Sequence, residues 1–520
     1  MDRWAAGSAP DEGGQRSPGL SVERVARARQ GCALPGLALD GGHTAPRARA
    51  NAIRRAESLW EHSPHPPTMH GFGSSGVRGV AFQELSPADA LAIASAAASV
   101  LDPHRVAVAR DTRLTGGAIA DAVASGLASA GADVDRLGIL PTPGLQVYCE
   151  EEGVPGVMVT ASHNPPEYNG IKLVGADGVE LDRETLDAVE RALADRPSPV
   201  AWDETGHSRT VEGADRRYRE QLLAAVDRAA IEDADLTVAL DPGHGAGALT
   251  SPEFFRELGC GVRTINAQPD GRFPGRDPEP IAANLGDLRR LVRTSDADLG
   301  VAHDGDADRA IFVDERGEHV EGGAALAALA AAVVERDDVV VSAVNATQRL
   351  VDVCETAGAT LVLTPIGSTN IIGAIGEYRG AGDHVPVAGE GNGGILFPDY
   401  RVARDGAYTA ARFCELVAER PASEVLEPYG GYANLRRDVP YESGAEREAM
   451  LAAIERAAAD ADAALDRTDG ARLDYGDAWV LARPSGTEPV VRIYAEARDE
   501  SRARELADWL EGVVTDAVEA

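Results

Sequence analysis

Residues 154–172 have the sequence Val-Pro-Gly-Val-Met-Val-Thr-Ala-Ser-His-Asn-Pro-Pro-Glu-Tyr-Asn-Gly-Ile-Lys. The apolar run at 154–159 is typical of a buried strand, and the two prolines that follow stiffen a loop. Ser162 and His163 therefore lie where a strand ends, a common position for active-site residues in α/β sheets. Ser162 needs an activating neighbour, and His163 and Lys172 are the candidates. An ordinary surface turn is the alternative, but this stiff loop ends at the only lysine of the chain.

Short apolar runs alternate with alanine-rich stretches on both sides of this segment. The apolar runs predict strands and the alanine-rich stretches predict helices. Examples of the predicted strands are 106–109, 154–159, 236–240, 299–302 and 360–363, and examples of the predicted helices are 87–100, 118–130 and 324–334. The alternation recurs three times before residue 430, which predicts three related α/β domains.

The pattern changes after residue 430. We expect a helix near 446–464, a strand pair at 478–481 and 490–496, and a closing helix from Ser501, together forming a smaller α+β domain. The boundaries that we predict for the four domains are 69–213, 214–318, 319–428 and 429–520.

Residues 1–68 differ from the rest because they are rich in Pro, Gly, Ser and Ala and lack hydrophobic periodicity. Such a segment is expected to be a disordered extension, or upstream sequence translated from a start codon chosen too early, with Met69 as the true start. We favour the second interpretation.

The charge of the chain limits its partners. Its 520 residues include 50 basic and 84 acidic ones, a formal net charge of -34. Such a chain repels nucleic acid and anionic lipid. Without a signal peptide, a long apolar run or a Cys-x-x-Cys pair, the sequence predicts a cytoplasmic protein with neither nucleic-acid nor membrane partners. Acidic residues combined with arginine in place of lysine suit a salt-loving organism, and any phosphate site must supply local positive charge.

A second loop, Asp304-Gly-Asp-Ala-Asp-Arg309, follows the predicted strand at 299–302. Alternate side chains of an extended loop point the same way, so Asp304, Asp306 and Asp308 are expected to converge on one hard cation. Magnesium shared with a phosphate fits three carboxylates with open coordination positions, and Arg309 adds a fixed cation. A calcium loop of the EF-hand type is excluded, because Arg309 stands where that loop requires glycine.

Two further loops suit sugar and phosphate. In Gly389-Glu-Gly-Asn-Gly-Gly394, Glu390 and Asn392 offer an acceptor and an amide to sugar hydroxyls. The glycines also match a dinucleotide fingerprint, but a Pro-containing apolar run follows where a helix should begin. In Arg483-Pro-Ser-Gly-Thr-Glu-Pro489, hydroxyls and exposed amides suit phosphate oxygens. A plain turn is the alternative there. The residues expected to bind phosphate are Arg483, Ser485, Gly486, Thr487 and Arg492.

With these loops in their order along residues 69–520, the chain resembles the α-D-phosphohexomutase family, which includes phosphoglucomutase, phosphomannomutase and phosphoglucosamine mutase. The segment Gly73-Ser-Ser-Gly-Val-Arg-Gly79 is similar to the family's opening motif, which implies a phosphate-binding role for Arg78. The resemblance implies four domains around a central cleft. It also implies that Ser162 carries the phosphoryl group and joins Asp304, Asp306 and Asp308 around one Mg²⁺.

The implied reaction interconverts hexose 1-phosphate and hexose 6-phosphate through phosphorylated Ser162, with a hexose 1,6-bisphosphate as intermediate and activator. His163 and Lys172 are the expected proton carriers, beside Arg309. The sequence differs from the family pattern at two places, so it does not distinguish among glucose, mannose and glucosamine phosphate as the substrate. Many family members have serine at the position of Asn392 and often histidine at that of Gly394, and the segment at 364–370 lacks a frequent basic residue.

Three functions remain open from the sequence. A mutase is favoured. A phosphatase using the same serine and magnesium has no need of the loop at 483–487, and a sugar-phosphate-binding protein without chemistry could lose Ser162 or an aspartate. The expected oligomeric state is a monomer or homodimer. Nucleotide hydrolysis of the Walker type is excluded, since Leu173 follows the only lysine.

Overall fold

Four sheets follow one another along the chain. A computed structural model describes residues 72–73, 76–485 and 488–519. The first sheet has the strand order β1-β5-β4-β2-β3-β6 and is parallel except for the pairs that β5 makes with β1 and β4. Its elements are β1 (Val77–Val80), α1 (Pro87–Leu101), β2 (Arg105–Arg110), α2 (Gly116–Ser129), β3 (Asp133–Ile139), α3 (Thr142–Glu152), β4 (Gly156–Val159), β5 (Tyr168–Val174), α4 (Arg183–Asp195) and β6 (Ser208–Thr210).

Local chemistry explains where these elements begin. Ser86 caps α1, accepting a hydrogen bond from the backbone N–H of Asp89 while the Asp89 carboxylate accepts one from the N–H of Ser86. Pro87 takes the first helical position, where no N–H is needed. All four residues of β4 are buried, as expected for an apolar strand inside a sheet covered on both faces.

The second sheet has the order β10-β9-β7-β8. It is preceded by two helices on the chain. Its elements are α5 (Ala214–Ala224), α6 (Arg228–Asp233), β7 (Thr237–Asp241), α7 (Ser251–Glu257), β8 (Gly261–Thr264), α8 (Gly286–Ser295), β9 (Leu299–Ala302) and β10 (Ile311–Asp314).

The third sheet has the order β12-β11-β13-β14-β15. Its elements are α9 (Gly322–Ala331), β11 (Val339–Ala343), α10 (Gln348–Ala357), β12 (Thr360–Thr364), α11 (Ser368–Ala381), β13 (Ala388–Gly389), β14 (Ile395–Phe397), β15 (Arg401–Arg404), α12 (Gly406–Val417) and α13 (Ala422–Leu426). The second and third sheets share a hydrophobic core, in which Phe312 of β10 stacks on Phe413 of α12 at 4.3 Å between ring centroids.

The fourth sheet is antiparallel, with the order β16-β20-β19-β18-β17. Two helices pack on it around a separate core. Its elements are β16 (Ala433–Pro440), α14 (Gly444–Asp460), β17 (Ala464–Asp466), β18 (Ala471–Asp474), β19 (Ala478–Pro484), β20 (Val490–Ala497) and α15 (Glu500–Glu519).

One arrangement recurs in the first three sheets. The strands β4, β9 and β13 each lie between a parallel neighbour (β2, β7 or β11) and an antiparallel one (β5, β10 or β14). The loops that leave these three strands are the ones predicted to carry Ser162, the aspartates and the sugar-binding residues. Equivalent strands therefore present the three predicted loops.

The predicted fold class is confirmed, with three α/β units followed by an α+β unit. Two predicted helices end too late. The helix expected at 324–334 stops at Ala331 (α9), and the one expected at 446–464 stops at Asp460 (α14), since Ala461 is extended and Ala464 already begins β17. Within the fourth unit, strands β16, β17 and β18 were not predicted. The domain boundaries remain predictions, and residues 1–68 lie outside the described residues. Within the described part of the chain, no helix has both the length and the apolar character needed to cross a bilayer.

Candidate active site

Ser162 lies buried at the point where the chain leaves β4. Its backbone is left-handed, with φ of +53°, which is unusual for a residue with a side chain. The N–H of Ser162 donates to Thr160 Oγ1 at 2.8 Å, and its Oγ donates to Asp304 Oδ2 at 2.7 Å. His163 Nδ1 is 3.4 Å from the same Oγ. The predicted serine loop and aspartate loop therefore meet at Ser162.

Asp304, Asp306 and Asp308 are buried and bring ligand atoms within 4.8 Å of one another. The Oδ2 atom of each carboxylate has a protein contact. The Oδ1 atoms of all three are buried and have no hydrogen-bond partner among the described residues. Three buried carboxylates that approach one another this closely, each with one unsatisfied oxygen, are the donor set that a hard cation such as Mg²⁺ prefers, so these residues fit the ion.

Cationic side chains surround this cluster. Lys172 Nζ lies 2.9 Å from Oδ2 of both Asp306 and Asp308. Arg309 Nε lies 3.8 Å from Asp304 Oδ2 and from Asp308 Oδ1. Since the chain as a whole is strongly acidic, these cations supply the local positive charge that a phosphate site requires.

Two more arginines belong to the same group. Arg78 donates from Nη1 to Asn164 Oδ1 in the serine loop at 3.0 Å, and burial lowers the pKa of Arg78 to about 10. Arg404, at the end of β15, places Nη2 2.7 Å from Asp308 Oδ2. The Nε atoms of Arg78, Arg309 and Arg404 are buried and lack a hydrogen-bond partner within the described ranges. Unused donors beside unused acceptors are what a site for a metal-bound phosphoryl group requires.

The pKa values follow from this crowding. Burial, followed by the charges of Asp308 and Asp306, raises the pKa of Asp304 to about 8. Burial also acts to raise the pKa of Asp308, but Arg404, then Lys172 and Arg309, outweigh it and hold that pKa below its usual range.

The two predicted proton carriers differ in their preferred charge. Burial acts to lower the pKa of Lys172, but the carboxylates of Asp306 and Asp308 outweigh it and raise that pKa above its ordinary value. The charge of Arg309, followed by burial, lowers the pKa of His163 far below its ordinary value. The contacts thus favour a charged Lys172 and a neutral His163.

The predicted sugar loop leaves β13 beside Arg404. Asn392 Nδ2 donates to Glu390 Oε2 at 3.1 Å, and Asn392 Oδ1 accepts from the N–H of Gly394 at 3.0 Å. A Cβ placed on Gly394 would stand 2.9 Å from Arg404 Cδ. Glycine at this position leaves the space that Arg404 fills.

The predicted phosphate-binding residues near 483–492 make contacts away from the aspartates. Arg483 Nε lies 2.8 Å from Asp469 Oδ2, and Arg492 pairs with Glu488. Ser485 Oγ accepts from the N–H of Glu488 at 3.2 Å. The other two residues predicted for this loop, Gly486 and Thr487, lie outside the described residues. The acidic partners of Arg483 and Arg492 are not members of the aspartate cluster.

Sequence reasoning missed two residues that contact the aspartates. Thr142, at the start of α3, donates from Oγ1 to Asp306 Oδ2 at 2.5 Å. Arg404 contacts Asp308 from the third sheet. Neither residue belongs to a recognisable sequence motif. Thr142 is 164 residues from its partner, and Arg404 is one arginine among many. A basic residue at the end of a strand next to the sugar loop was the one available signal.

Comparison with known proteins agrees with the fold. The four domain profiles of phosphoglucomutase/phosphomannomutase match consecutive parts of the chain. The α/β/α domain I profile matches residues 69–198, domain II matches 216–317, domain III matches 321–432, and the C-terminal domain matches 439–512.

Relatives match nearly end to end. A phosphoglucomutase/phosphomannomutase of Thermococcus kodakarensis is 39% identical over 448 residues, covering 84% of this chain and 96% of the relative. A probable phosphoglucosamine mutase of Methanopyrus kandleri is 39% identical over 453 residues, covering 86% and 98%. The crystal structure of a putative phosphomannomutase from Thermus thermophilus superposes with a TM-score of 0.73 at 29% identity, covering 86% of this chain and 100% of that one.

Fold, loops and relatives together define a class of phosphosugar-isomerising enzymes. The chain belongs to the phosphoglucomutase/phosphomannomutase family, the α-D-phosphohexomutases. It is a mutase, an enzyme of the isomerase class.

Proposed function

We propose that this enzyme interconverts hexose 1-phosphate and hexose 6-phosphate by way of a phosphoryl group carried on Ser162. The observation that carries the proposal is the contact of Ser162 Oγ with Asp304 Oδ2 at 2.7 Å. Beside it lie buried carboxylate oxygens and arginine donors that have no hydrogen-bond partner among the described residues. A serine that merely closes a turn has no need of either set.

The transfer conserves atoms and charge. The bond between phosphorus and Ser162 Oγ breaks as a bond forms between phosphorus and the C6 hydroxyl oxygen of hexose 1-phosphate. The hydroxyl loses one proton, and Ser162 Oγ regains one. The resulting hexose 1,6-bisphosphate turns round, and its C1 phosphoryl group returns to Ser162 Oγ by the reverse step.

His163 and Lys172 have different roles in the proposed transfer. His163 Nδ1, 3.4 Å from Ser162 Oγ, is placed to pass a proton to or from that oxygen. Lys172 holds its ammonium between two carboxylates and serves first as a fixed cation. Arg309 and Arg78 direct donors to the phosphoryl oxygens.

The carboxylates of Asp304, Asp306 and Asp308, with Ser162 Oγ, would hold one Mg²⁺. When bound, the ion would draw negative charge from the phosphoryl oxygens. Removal of divalent ions with a chelator is expected to abolish isomerisation, and added Mg²⁺ should restore it. Full activity after chelation would contradict this assignment.

The remaining predicted residues recognise the substrate. We propose that Glu390 and Asn392 bind sugar hydroxyls, with Arg404 beside them. We propose that the loop in the fourth domain binds the phosphate that is not being transferred, through Arg483, Ser485, Gly486, Thr487 and Arg492. In the described structure Arg483 is paired with Asp469, so a bound phosphate has to compete with that carboxylate.

The substrate class proposed here is a hexose phosphate. The similar proteins carry the names phosphoglucomutase/phosphomannomutase and probable phosphoglucosamine mutase. Glucose, mannose and glucosamine phosphates are therefore the sugars to compare. Neither nucleic acid nor membrane is proposed as a partner, and light scattering after size-exclusion chromatography tests the expected monomer or homodimer.

The decisive experiment is a coupled mutase assay of the wild type and Ser162→Ala at high salt with Mg²⁺, with free phosphate followed in parallel. We expect isomerisation of at least one of the three sugars by the wild type and none by the alanine variant. Phosphate release without isomerisation would favour a phosphatase. Tight binding of sugar phosphates without turnover would favour a binding protein.

A further inference from the structure

Two buried aspartate–arginine pairs stand at the same position in the first and second sheets. Asp111 directly follows β2, and Asp241 ends β7. These strands are the parallel neighbours of β4 and β9, from which the serine and aspartate loops depart. Each aspartate binds a buried arginine that lies in a loop, Arg113 after β2 and Arg276 after β8.

The first pair holds the serine loop by its backbone. Arg113 Nε donates to Asp111 Oδ2 at 3.0 Å. The remaining guanidinium nitrogens donate to carbonyl oxygens of the loop, those of Ser162 (2.9 Å), Asn164 (2.6 Å), Pro165 (2.5 Å) and Tyr168 (3.0 Å). One side chain thus fixes both the residue that carries Oγ and the stiff turn after it.

The same aspartate also reaches the other side of Ser162. Thr160 Oγ1 donates to Asp111 Oδ2 at 2.7 Å and accepts from the N–H of Ser162 at 2.8 Å. Ser162 is therefore bound at both its N–H and its carbonyl oxygen by groups that Asp111 organises. These bonds hold a left-handed backbone that a serine rarely adopts by itself.

The second pair holds the aspartate loop. Arg276 Nε donates to Asp241 Oδ2 at 2.8 Å, and Nη2 donates to the carbonyl oxygen of His303 at 2.6 Å. His303 immediately precedes Asp304. Its own Nδ1 lies 2.8 Å from the carbonyl oxygen of Arg309, at the far end of the loop. Arg276 thus fixes the start of the aspartate loop as Arg113 fixes the serine loop.

A short segment, Gly271–Arg276, connects the two pairs. Gly271 forms a backbone bridge with Arg113, and the Arg113 guanidinium carbon lies 5.3 Å from the centroid of the Phe273 ring. A Cβ on Gly271 would stand 2.2 Å from the Thr112 carbonyl oxygen, so this approach requires glycine. Arg276 ends the same segment.

We infer that Arg113 and Arg276 are matched positioning residues for the phosphoryl transfer, Arg113 for Ser162 and Arg276 for the metal-binding aspartates. The inference rests on the proposed function of Ser162 and the aspartates. Arginine is required at both places because its planar fork bonds an aspartate and several carbonyl oxygens at once, whereas the ammonium of lysine has three donors at a single point.

The test replaces each arginine by lysine, which keeps the positive charge but removes the planar set of guanidinium N–H donors. Arg113→Lys is expected to lower turnover about 10- to 100-fold at saturating Mg²⁺, because a small displacement of the nucleophile is costly. Its affinity for Mg²⁺ should fall by less than about tenfold, because only the Ser162 ligand is displaced while Arg276 still holds the three aspartates.

Arg276→Lys is expected to weaken Mg²⁺ binding more than it lowers turnover at saturating Mg²⁺. Its Mg²⁺ dissociation constant, measured by calorimetry without sugar, should rise about 10- to 100-fold, the usual effect of losing support behind a metal ligand. Excess Mg²⁺ should restore most of its turnover, whereas no concentration of Mg²⁺ should restore Arg113→Lys. Arg290→Lys, at an exposed ion pair with Asp287 in the same domain, is the control and should change neither quantity.

Milder variants cover the case in which a lysine variant does not fold. Thr160→Val breaks the bond to the N–H of Ser162, and Asn266→Ala removes the bond from Nδ2 to Asp241 Oδ1 at 3.1 Å. Thr160→Val should reproduce the loss of turnover of Arg113→Lys more weakly, and Asn266→Ala should reproduce the loss of Mg²⁺ affinity of Arg276→Lys more weakly. The inference is wrong if the serine-side and aspartate-side variants change turnover and Mg²⁺ affinity alike.

These outcomes are separate from failure of the proposed function. A wild type without isomerase activity would reject that function, while the Mg²⁺ titrations would still compare the two arginines. An active wild type whose variants behave alike would reject the positioning roles alone.

Discussion

Arg404 shows how much a single buried side chain adds to this site. It extends from the end of β15, with Nη2 2.7 Å from Asp308 Oδ2 and 3.5 Å from Glu180 Oε1. Glu180 in turn accepts a hydrogen bond from Ser368 Oγ at 2.9 Å. Arg404 therefore joins a carboxylate of the first domain and a proposed metal ligand to the strand beside the sugar loop.

Replacement of Arg404 by lysine tests that role. A lysine ammonium is not expected to reach Asp308 and Glu180 in the same geometry, so we expect turnover to fall about tenfold or more. Steady-state kinetics with the preferred hexose phosphate measures the effect. Arg401→Lys on the same strand, where Arg401 Nε donates to Glu150 at 2.7 Å, is the matched control. Equal activity of the two variants would contradict a role for Arg404.

Asp405, the next residue, makes stability depend on pH. It is buried, caps α12 and accepts from Tyr218 OH at 2.8 Å, while its Oδ2 has no hydrogen-bond partner in the described part of the chain. Burial raises the pKa of Asp405 to about 6. The folded state therefore holds this proton more tightly than the unfolded state. The resulting stabilisation is complete below the unfolded pKa and is lost as pH rises through about 6.

Asp405→Asn should remove this dependence, because asparagine keeps an acceptor oxygen for the cap and carries no charge. We expect the variant to be more stable than the wild type by about 1–3 kcal/mol near pH 7.5 and equal to it near pH 4. Urea unfolding at a series of pH values gives the difference. A constant difference at every pH would show that Asp405 does not titrate in this range.

At the scale of elements, the serine and aspartate loops approach so closely that one position between them requires glycine. A Cβ on Gly305 would stand 2.6 Å from the carbonyl oxygen of Ser162, which also accepts from Arg113. The backbone of Gly305 is not left-handed, so the requirement is one of space alone. The loops that leave β4 and β9, strands of different sheets, can approach this closely only because residue 305 has no side chain.

Gly305→Ala should separate the two loops. We expect turnover to fall about 10- to 100-fold and the free energy of unfolding to fall by about 1–3 kcal/mol, because the added methyl group meets backbone. Gly373→Ala on α11 is the control, since no atom lies within 4 Å of its added Cβ. The control should keep full activity and gain up to about 1 kcal/mol from helix propensity. Similar losses in both variants would contradict the argument.

At the scale of the whole molecule, a strongly acidic chain encloses a cationic site. The formal net charge is -34, yet Arg78, Lys172, Arg309 and Arg404 surround the aspartates. Self-repulsion of the acidic surface opposes folding and is screened by salt, whereas the buried pairs are screened much less. Salt should therefore weaken the repulsion among surface carboxylates more than it weakens the ion pairs of the buried site.

Thermal stability should accordingly rise with salt. Since the Debye length falls from about 10 Å at 0.1 M to about 3 Å at 1 M, we expect the melting temperature to increase over this range. Differential scanning calorimetry in KCl measures it, and sucrose at equal osmolality is the control for effects other than screening. A melting temperature that stays constant or falls in KCl would show that surface repulsion is unimportant here.

The sequence by itself determined the alternation of strands and helices, the four-part order of the chain and the loops that hold Ser162 and Asp304–Asp308. These are local properties, because an apolar strand followed by a polar loop leaves its pattern in consecutive residues. The same local reasoning extended two helices too far, to residues 334 and 464. In the fourth unit it missed β16, which is rich in charged residues, and β17 and β18, which are only three and four residues long.

Only the tertiary structure decided which distant residues complete the site. Arg113 lies 49 residues from Ser162 in sequence, and Thr142 lies 164 residues from Asp306. The sequence marked Lys172 as a lysine able to release its proton, but two carboxylates from another domain favour its charged form. The physical reason is that hydrogen bonds and charges act over a few ångströms in space, and only the packing of the sheets brings these residues that close.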